Sequence, residues 1–352
     1  MDSSTTGIIA AIVAGAPIIS GGMIWVVNGI GGYRAPATEE TIRQINTHIG
    51  RIVEYVDGLP RARRKIKDPF SEGMAHKESH RYDEAITLFR QALAQGPTGS
   101  QRAALLGLIG NCFFQQARAS EAEPHYKEAE TAAREAGDQK ALATTYNNMA
   151  NVYRFQRYDD QALEWYHKSL KITEKIGNLA ALDATYNNIG MVYYRRRDYE
   201  QALEWYHKSL KITEEIGDRA TLAEAYLFVA SAYRFRGDYD QALEWYHKSL
   251  KITEEIGDRA TIAETYGMIG AVYEFRRDYD QALEWYHKSV KVEEGLGNRA
   301  NLAFAYDTLG RVYESRGDSD QAVQWRQKGH SIFDQMEAEA RARRVKKNTE
   351  NP

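Results

Sequence analysis

A stretch of fourteen residues, QALEWYHKSLKITE, returns at a fixed distance along the chain. It begins at Gln161, Gln201 and Gln241, and a variant, QALEWYHKSVKVEE, begins at Gln281. The copies lie 40 residues apart, whereas the sequence between them varies. A fixed period of this length is the signature of a repeat protein, in which each repeat packs on its neighbours. The sequence therefore predicts an array of stacked, similar repeats.

Each period contains two helical patterns. In the first, an aromatic residue is followed by a small residue and then by a tyrosine, as in Tyr226, Ala230 and Tyr233. Spacings of four and three place these side chains on one face of a helix. The fourteen-residue stretch has the second pattern, in which Ala242 and Tyr246 are spaced in the same way. We expect each period to form an antiparallel helical hairpin whose two helices meet at the small residues.

Short polar segments separate the helical patterns. RGDY, from Arg236 to Tyr239, joins the two helices of one repeat, and IGDRA, from Ile256 to Ala260, joins successive repeats. Gly257 suits the C-terminal end of a helix, and Asp258 suits the N-cap of the next one. The boundaries of the hairpins can therefore be predicted from these segments.

The aromatic, small and tyrosine columns resemble the tetratricopeptide repeat, and the 40-residue period resembles the longer variant of kinesin light chains. The resemblance implies an all-α fold, a right-handed α-solenoid of about seven helical hairpins over residues 66–340. In the last repeat, Arg326 replaces the tyrosine of the second helix. The repeats are predicted to start near residues 66, 103, 143, 183, 223, 263 and 303.

The N-terminal segment differs from the repeats because it has no charged side chain between Ser3 and Gly32. The run from Gly7 to Val27 is about as long as a helix that crosses a hydrocarbon core of ~30 Å. We expect residues 1–33 to form a single transmembrane helix; a signal peptide and an interfacial segment are the alternatives. Arginines and lysines follow this segment but do not precede it, so the repeats are predicted to be cytoplasmic.

Residues 34–65 are predicted to form a juxtamembrane amphipathic helix followed by a basic linker. Their apolar residues are spaced by three and four, which indicates one apolar seam. A helix packed on the first repeat, a helix lying on the membrane surface and a juxtamembrane dimeric coil are all compatible with so short a seam. Residues 341–352 are rich in arginine and lysine and are predicted to be a flexible basic tail. The seam consists of Ile42, Ile45, Ile49, Ile52, Val56 and Leu59.

Charge and motifs argue against several functional classes. The 46 basic and 49 acidic residues nearly balance, so we expect no nucleic-acid partner. The chain has no HExxH or GxSxG motif and no glycine-rich loop after a strand, so we predict neither an enzyme nor a cofactor. The repeated histidines lie in different repeats, too far apart for one metal ion, so no metal site is predicted. These histidines are His167, His207, His247 and His287.

In tetratricopeptide proteins, the positions next to the core columns of the first helix line a concave groove that binds a peptide. The resemblance implies the same groove here. Asparagine side chains can hydrogen-bond a peptide backbone, and arginines can bind a carboxylate or phosphate. Glu274 and Glu314 are expected to favour basic residues further along. The candidate groove residues are Asn147, Asn151, Arg154, Asn187, Met191, Tyr194, Arg195, Leu227, Ser231, Arg234 and Glu274.

The most direct interpretation is a membrane-anchored adaptor that binds a partner protein or peptide in this groove. One alternative is a self-assembling membrane scaffold, in which the repeats of several copies form a homo-oligomer. Another is a regulatory accessory subunit of an enzyme. Self-association of the isolated chain would favour the scaffold, and a heterologous peptide in the groove would favour the adaptor.

Overall fold

The computed structural model describes residues 68–350 and three short segments, 19–20, 23–27 and 34–36. Residues 68–350 form fourteen α-helices joined by short turns. The helices are α1 Pro69–Glu78, α2 Tyr82–Ala94, α3 Gly99–Gln115, α4 Ala119–Glu135, α5 Gln139–Phe155, α6 Asp159–Ile176, α7 Leu179–Arg195, α8 Tyr199–Ile216, α9 Arg219–Arg236, α10 Tyr239–Ile256, α11 Arg259–Phe275, α12 Tyr279–Leu296, α13 Arg299–Arg316 and α14 Ser319–Glu350.

Three short antiparallel strands precede the helices: β1 Ile19–Ser20, β2 Met23–Val27 and β3 Arg34–Pro36. Two of them, β1 and β2, lie within the segment predicted to be a membrane helix. The structure therefore has strands at these residues where a helix was predicted. β-Branched and aromatic residues in β2 favour extended backbone, and a Gly-Gly pair follows β1 in sequence, as in many tight hairpins. The other residues of the predicted span lie outside the described part. Among the described residues, no helix has the length and apolar character needed to cross a membrane.

The two other terminal predictions have different outcomes. The apolar seam of residues 42–59 lies outside the described residues. The predicted flexible tail begins at residue 341, but α14 continues through this segment to Glu350. Its arginine, alanine and lysine residues are strong helix formers, and no glycine or proline interrupts them before Pro352. The C-terminal segment is therefore helical where the sequence suggested a tail.

The chain divides into two compact units, Met1–Val192 and Tyr193–Pro352. In the N-terminal unit, α1 packs on α2, α3 on α4 and α5 on α6. In the C-terminal unit, α9 packs on α10, α11 on α12 and α13 on α14. Each pair is a helical hairpin, and we call its members the first and the second helix. The described helices thus follow the predicted all-α hairpin pattern.

The two helices of a hairpin meet where a small residue faces a tyrosine ring. A Cβ added to Gly110 of α3 would lie only 2.6 Å from the ring of Tyr126 on α4. Tyr126 is 1% exposed, so its ring has little room to move. In the next hairpin, Ala150 and Tyr166 are both fully buried. The predicted small and aromatic columns are therefore the points of closest helix contact.

A buried serine of the second helix adds a polar contact to the hairpin. The Ser169 hydroxyl donates a hydrogen bond to the Ala143 carbonyl at 2.8 Å, and Ser289 donates to Ala263 at 2.7 Å. Each bond joins the second helix to the backbone of the first. Because a buried hydroxyl without a partner is costly, these bonds also favour one register between the helices.

The predicted ends of the helices are observed. Gly257 follows α10 with φ of 74°, in the left-handed region that glycine adopts without steric cost. The Asp258 carboxylate then accepts a hydrogen bond from the Thr261 amide at 3.1 Å, at the start of α11. Asp138 caps α5 in the same way through the Ala141 amide. The glycine and aspartate residues between the helical patterns therefore set the helix boundaries.

The tryptophan and histidine columns of the second helices pack between successive repeats. The ring centroids of His207 and Trp245 are 5.7 Å apart, and those of His287 and Trp325 are 5.3 Å apart. Burial lowers the pKa of His207, His247 and His287 below the usual histidine value. Within residues 68–350, no three metal-binding side chains lie together. The histidines therefore contribute to packing.

Substitution of two glycines in α3 should have opposite effects. Gly110→Ala should destabilise the chain by about 1–3 kcal/mol, because the new methyl group meets a buried ring. Gly107→Ala should stabilise it by about 0.5–1 kcal/mol, because a Cβ at Gly107 meets no atom within 4 Å and alanine favours the helix. Urea denaturation measures both free energies of unfolding. Equal effects of the two substitutions would contradict the proposed close contact.

Stability should decrease as the pH falls below about 6.5, the pKa of an unfolded histidine. His207, His247 and His287 have lower pKa values in the folded chain, so protonation favours unfolding. Between pH 7.5 and 5.5, the thermal midpoint of the wild type should fall more than that of a variant with all three changed to glutamine. His330→Gln is the matched control and should fall like the wild type. The charged groups near the three packed histidines are Glu214, Glu254, Lys248, Lys288 and Lys328.

Candidate functional site

Three adjoining open cavities follow the first helices of the N-terminal unit, mainly α3, α5 and α7. Their volumes are about 540, 470 and 220 Å³. The first and second share Asn111 and Asn148, and the first and third share Lys140 and Thr144. Shared lining residues make the cavities one continuous surface. We call it the asparagine groove; its polar residues include Asn111, Lys140, Thr144, Asn147, Asn148 and Asn151.

Two asparagines of the groove hold tyrosine hydroxyls of the core. Asn111 Oδ1 accepts a hydrogen bond from the Tyr126 hydroxyl at 2.7 Å, and Asn151 Oδ1 accepts one from Tyr166 at 2.6 Å. Arg154 Nε also donates to the Tyr166 hydroxyl at 3.2 Å. Burial raises the pKa of Tyr166 to about 12, so this hydroxyl remains a donor. Asn151 and Arg154 therefore have structural roles as well as the predicted binding role.

Other asparagines of this face have fewer internal contacts. Asn147 Oδ1 accepts a long hydrogen bond of 3.5 Å from Asn188. Asn148 is half-buried and lines two of the three cavities. Asn187 Oδ1 is buried and has no hydrogen-bond partner among the described residues. Their amide groups are therefore better placed than Asn151 to bind a ligand.

Two apolar candidates, Met191 and Leu227, differ in how deeply their side chains are buried. Met191 is half-buried on α7. Leu227 is only 7% exposed and belongs to a core cluster with Tyr246 and Ile269. The Leu227 side chain therefore packs mainly in the core and leaves little of its surface for the predicted groove. An apolar residue at the border of the core gains free energy by turning inward, whereas the asparagine at the equivalent position of α5 does not.

Three polar residues of the C-terminal unit that were expected to face a ligand are already paired with other side chains. The Ser231 and Tyr246 hydroxyls are 3.1 Å apart. The Glu274 carboxylate accepts hydrogen bonds from the Tyr286 hydroxyl at 2.9 Å and from the Arg311 guanidinium at 3.2 Å. Glu314 is likewise paired, with the Arg326 that replaces the last tyrosine. The expectation that Glu274 and Glu314 bind a basic ligand is therefore weakened.

Tyr194 and Arg234 belong to a cluster of aromatic side chains in the C-terminal unit. The ring centroids of Tyr194 and Phe235 are 5.6 Å apart. The Arg234 guanidinium lies 4.4 Å from the centroid of the Phe235 ring. Burial raises the pKa of Tyr194 to about 12. Arg195 is half-buried at the end of α7.

Four of the polar residues that line the groove were not among the candidates: Asn111, Lys140, Thr144 and Asn148. A signal for three of them, Asn111, Thr144 and Asn148, is present in the sequence. Thr144, Asn148 and Asn151 are spaced by four and three, so they share one face of α5. Asn111 occupies the same column as Asn151 one repeat earlier. Extending the chosen columns by one position and one repeat would have identified them.

Five overlapping stretches match the sequence model of the tetratricopeptide repeat: residues 72–135, 101–175, 141–215, 181–255 and 261–335. Together they cover more than half of the chain. No curated protein matches the chain in sequence.

Three solved structures have a similar fold. BtubC (BKLC) from P. vanneervenii is 20% identical with a TM-score of 0.53; the match covers 64% of this chain and 91% of that chain. The signal transduction ATPase PH0952 from Pyrococcus horikoshii, with a tetratricopeptide repeat sensor, is 16% identical with a TM-score of 0.67; the match covers 88% of this chain and 50% of that chain. A Rap protein complexed with competence and sporulation factor is 16% identical with a TM-score of 0.51; the match covers 72% of this chain and 75% of that chain.

At these identities the solved structures show a shared fold, and the sequence matches establish the family. The 40-residue period agrees with the predicted kinesin-light-chain-like variant, and BtubC is one of the similar structures. The chain therefore belongs to the tetratricopeptide repeat family.

Proposed function

We propose that this protein is an adaptor that holds an extended segment of a partner protein in the asparagine groove. The observation that carries the proposal is the continuous groove along α3, α5 and α7, with amide side chains at successive repeats. An asparagine amide can donate to a peptide carbonyl and accept from a peptide N–H. Such contacts bind the backbone of an extended segment whatever its side chains are.

Charged groups at the groove suggest which segments bind best. Lys140 lines two of the three cavities and Lys77 lines the other one. Two carboxylates, Glu78 and Asp138, also line the cavities, but Asp138 already accepts the Ala141 amide. A segment with a carboxylate gains a charge-assisted hydrogen bond from the lysines. The complex of a Rap protein with competence and sporulation factor supports ligand binding by this fold. The proposed ligand is thus an extended segment that carries at least one acidic group.

We also propose that residues 1–33 attach the adaptor to a membrane and leave the repeats in the cytoplasm. The support is the run without charged residues from Ser3 to Gly32 and the basic residues that follow it. Attachment to a membrane would concentrate the bound partner at that surface.

Groove binding can be tested with a peptide library displayed on ribosomes and selected on the full chain in detergent micelles. Selected peptides should bind with dissociation constants in the micromolar range, typical of short extended ligands. The double variant Asn147→Ala/Asn148→Ala should bind them at least roughly tenfold more weakly, because amide contacts to the backbone are lost. Fluorescence anisotropy with labelled peptides measures the affinities.

The matched control is Gln161→Ala, which removes an exposed amide from the second helix α6. It should bind the selected peptides like the wild type. Asn151→Ala is not used, because it would also leave the buried Tyr166 hydroxyl without an acceptor. Equal affinity of the Asn147→Ala/Asn148→Ala variant and the wild type would show that the peptides bind elsewhere.

Membrane attachment can be tested by fractionation of cells that express the full chain. The full chain should remain in the membrane pellet after a carbonate wash, because an apolar anchor is not released by high pH. A chain that begins at residue 34 should be released into the supernatant. Protease added to sealed vesicles of known orientation should digest the repeats only from the cytoplasmic side. Release of the full chain by carbonate would contradict the anchor.

A further inference from the structure

A second surface lies in the C-terminal unit, where first helices end and second helices begin. We call it the aromatic patch; it consists of Tyr199, Arg234, Phe235, Tyr239 and Phe275. The ring centroids of Tyr199 and Phe235 are 6.2 Å apart, those of Phe235 and Phe275 6.4 Å, and those of Tyr239 and Phe275 6.3 Å. The four rings therefore form one continuous row across successive repeats.

The phenylalanines of this row are exposed. Phe235 is 44% exposed and Phe275 is 55% exposed, although both are large apolar side chains. Single exposed apolar residues are common, but a contiguous exposed cluster usually marks an interaction site. The equivalent positions of the neighbouring repeats hold Arg195 and Ser315. The exposed phenylalanines are thus limited to two adjacent repeats.

The arginine of the patch lacks the carboxylate partner that its neighbours have. Arg236 lies 3.6 Å from Glu200, Arg276 pairs with Asp240, and similar pairs occur in the next repeat. Within the described residues, no carboxylate pairs with Arg234, and its Nε is buried without a hydrogen-bond partner. Its guanidinium instead lies 4.4 Å from the Phe235 centroid and 6.0 Å from that of Phe275. The patch therefore combines exposed rings with an un-neutralised cation.

The geometry points to a docking site for a proline-rich segment that carries a carboxylate. Arg234 supplies the complementary positive charge for the carboxylate, and the ring stacked beneath it holds the guanidinium in place. The exposed rings supply flat apolar faces of the kind on which proline rings pack in other recognition domains. Both proposed ligands are extended and carry a carboxylate, but the patch takes a stiff, proline-rich segment, whereas the asparagine groove takes a segment bound through its backbone.

Proline content follows from the composition of the patch. Two of its rings, those of Phe235 and Phe275, are exposed large apolar groups, so a ligand gains limited apolar contact area there. A flexible segment would lose more backbone entropy on binding than this area returns. A proline-rich segment is already extended as a polyproline II helix and loses less. The surface therefore selects for a stiff ligand.

The experiment uses the full chain in detergent micelles and the fluorescein-labelled peptide Ac-PPEPPEPPE-NH2. The wild type should bind this peptide saturably, as measured by fluorescence anisotropy. It should bind Ac-PPQPPQPPQ-NH2 more weakly, because the carboxylates are absent, and Ac-GSEGSEGSE-NH2 weakest of all, because that peptide is flexible. Absence of saturable binding, or equal binding of the flexible peptide, would overturn the proposal.

Three variants identify the surface. Phe235→Ala/Phe275→Ala should weaken binding of the acidic proline peptide roughly tenfold or more, because both exposed ring faces are removed. Arg234→Gln should lower the affinity for the acidic peptide to that of the uncharged one, whose own binding should not change. That unchanged affinity also reports that the variant is folded. Phe304→Ala, which removes a 70% exposed ring outside the patch, is the control and should bind like the wild type.

The result can be separated from that of the asparagine groove. The Asn147→Ala/Asn148→Ala variant should bind the acidic proline peptide normally, and Phe235→Ala/Phe275→Ala should bind the library-selected peptides normally. Loss of proline-peptide binding in the asparagine variant would place that peptide in the groove and overturn the second site. Normal binding of the acidic proline peptide by Phe235→Ala/Phe275→Ala would also overturn it.

Discussion

The contact between a small residue of the first helix and a tyrosine ring of the second sets the geometry of each hairpin. At Gly110, the ring of Tyr126 is so close that a methyl group would collide with it, and in the next hairpin Ala150 and Tyr166 are both fully buried. Close-packed interiors tolerate few changes of volume. A glycine or alanine therefore recurs in the first helix, and a tyrosine recurs in the second helix until Arg326 replaces it in the last repeat, whereas the other faces of the first helix change more freely.

The same tyrosines connect the core to the candidate binding surface. Each ring is buried, but its hydroxyl emerges at the face of the first helix and needs a partner. The partners differ between repeats: Asn111, Asn151, Ser231 and Glu274. Asn111, Asn151 and Ser231 follow the small column directly, whereas Glu274 follows the tyrosine column of the first helix, so both positions are selected partly by the tyrosine hydroxyl. This explains why columns chosen for ligand binding also contain structural residues.

The sequence predicted the fold well but the site only in part. The period, the small and aromatic columns, and the caps at Gly257 and Asp258 are local patterns that recur in each repeat, so they could be read without the structure. The orientation of Leu227 could not, because a residue at the border of the core turns inward or outward according to its own polarity. Of the cavity-lining asparagines of α5, the candidates from the sequence included Asn147 and Asn151 but not Asn148. The end of α14 depends on weak local helix propensities. The basic composition of residues 341–352 suggested a flexible tail, although its residues favour a helix.

The constant core also explains how one chain can carry two binding chemistries. In each first helix, one residue directly follows the tyrosine that ends the core pattern. In successive repeats this residue is Arg154, Tyr194, Arg234 and Glu274, and its contacts differ from repeat to repeat. None of these changes alters the contact between the small residue and the tyrosine. Each repeat can therefore acquire its own surface without loss of the hairpin. Under the two proposals, the amide groups of the asparagine groove bind the backbone of an extended segment, whereas the rings and Arg234 of the C-terminal unit favour a stiff, acidic one.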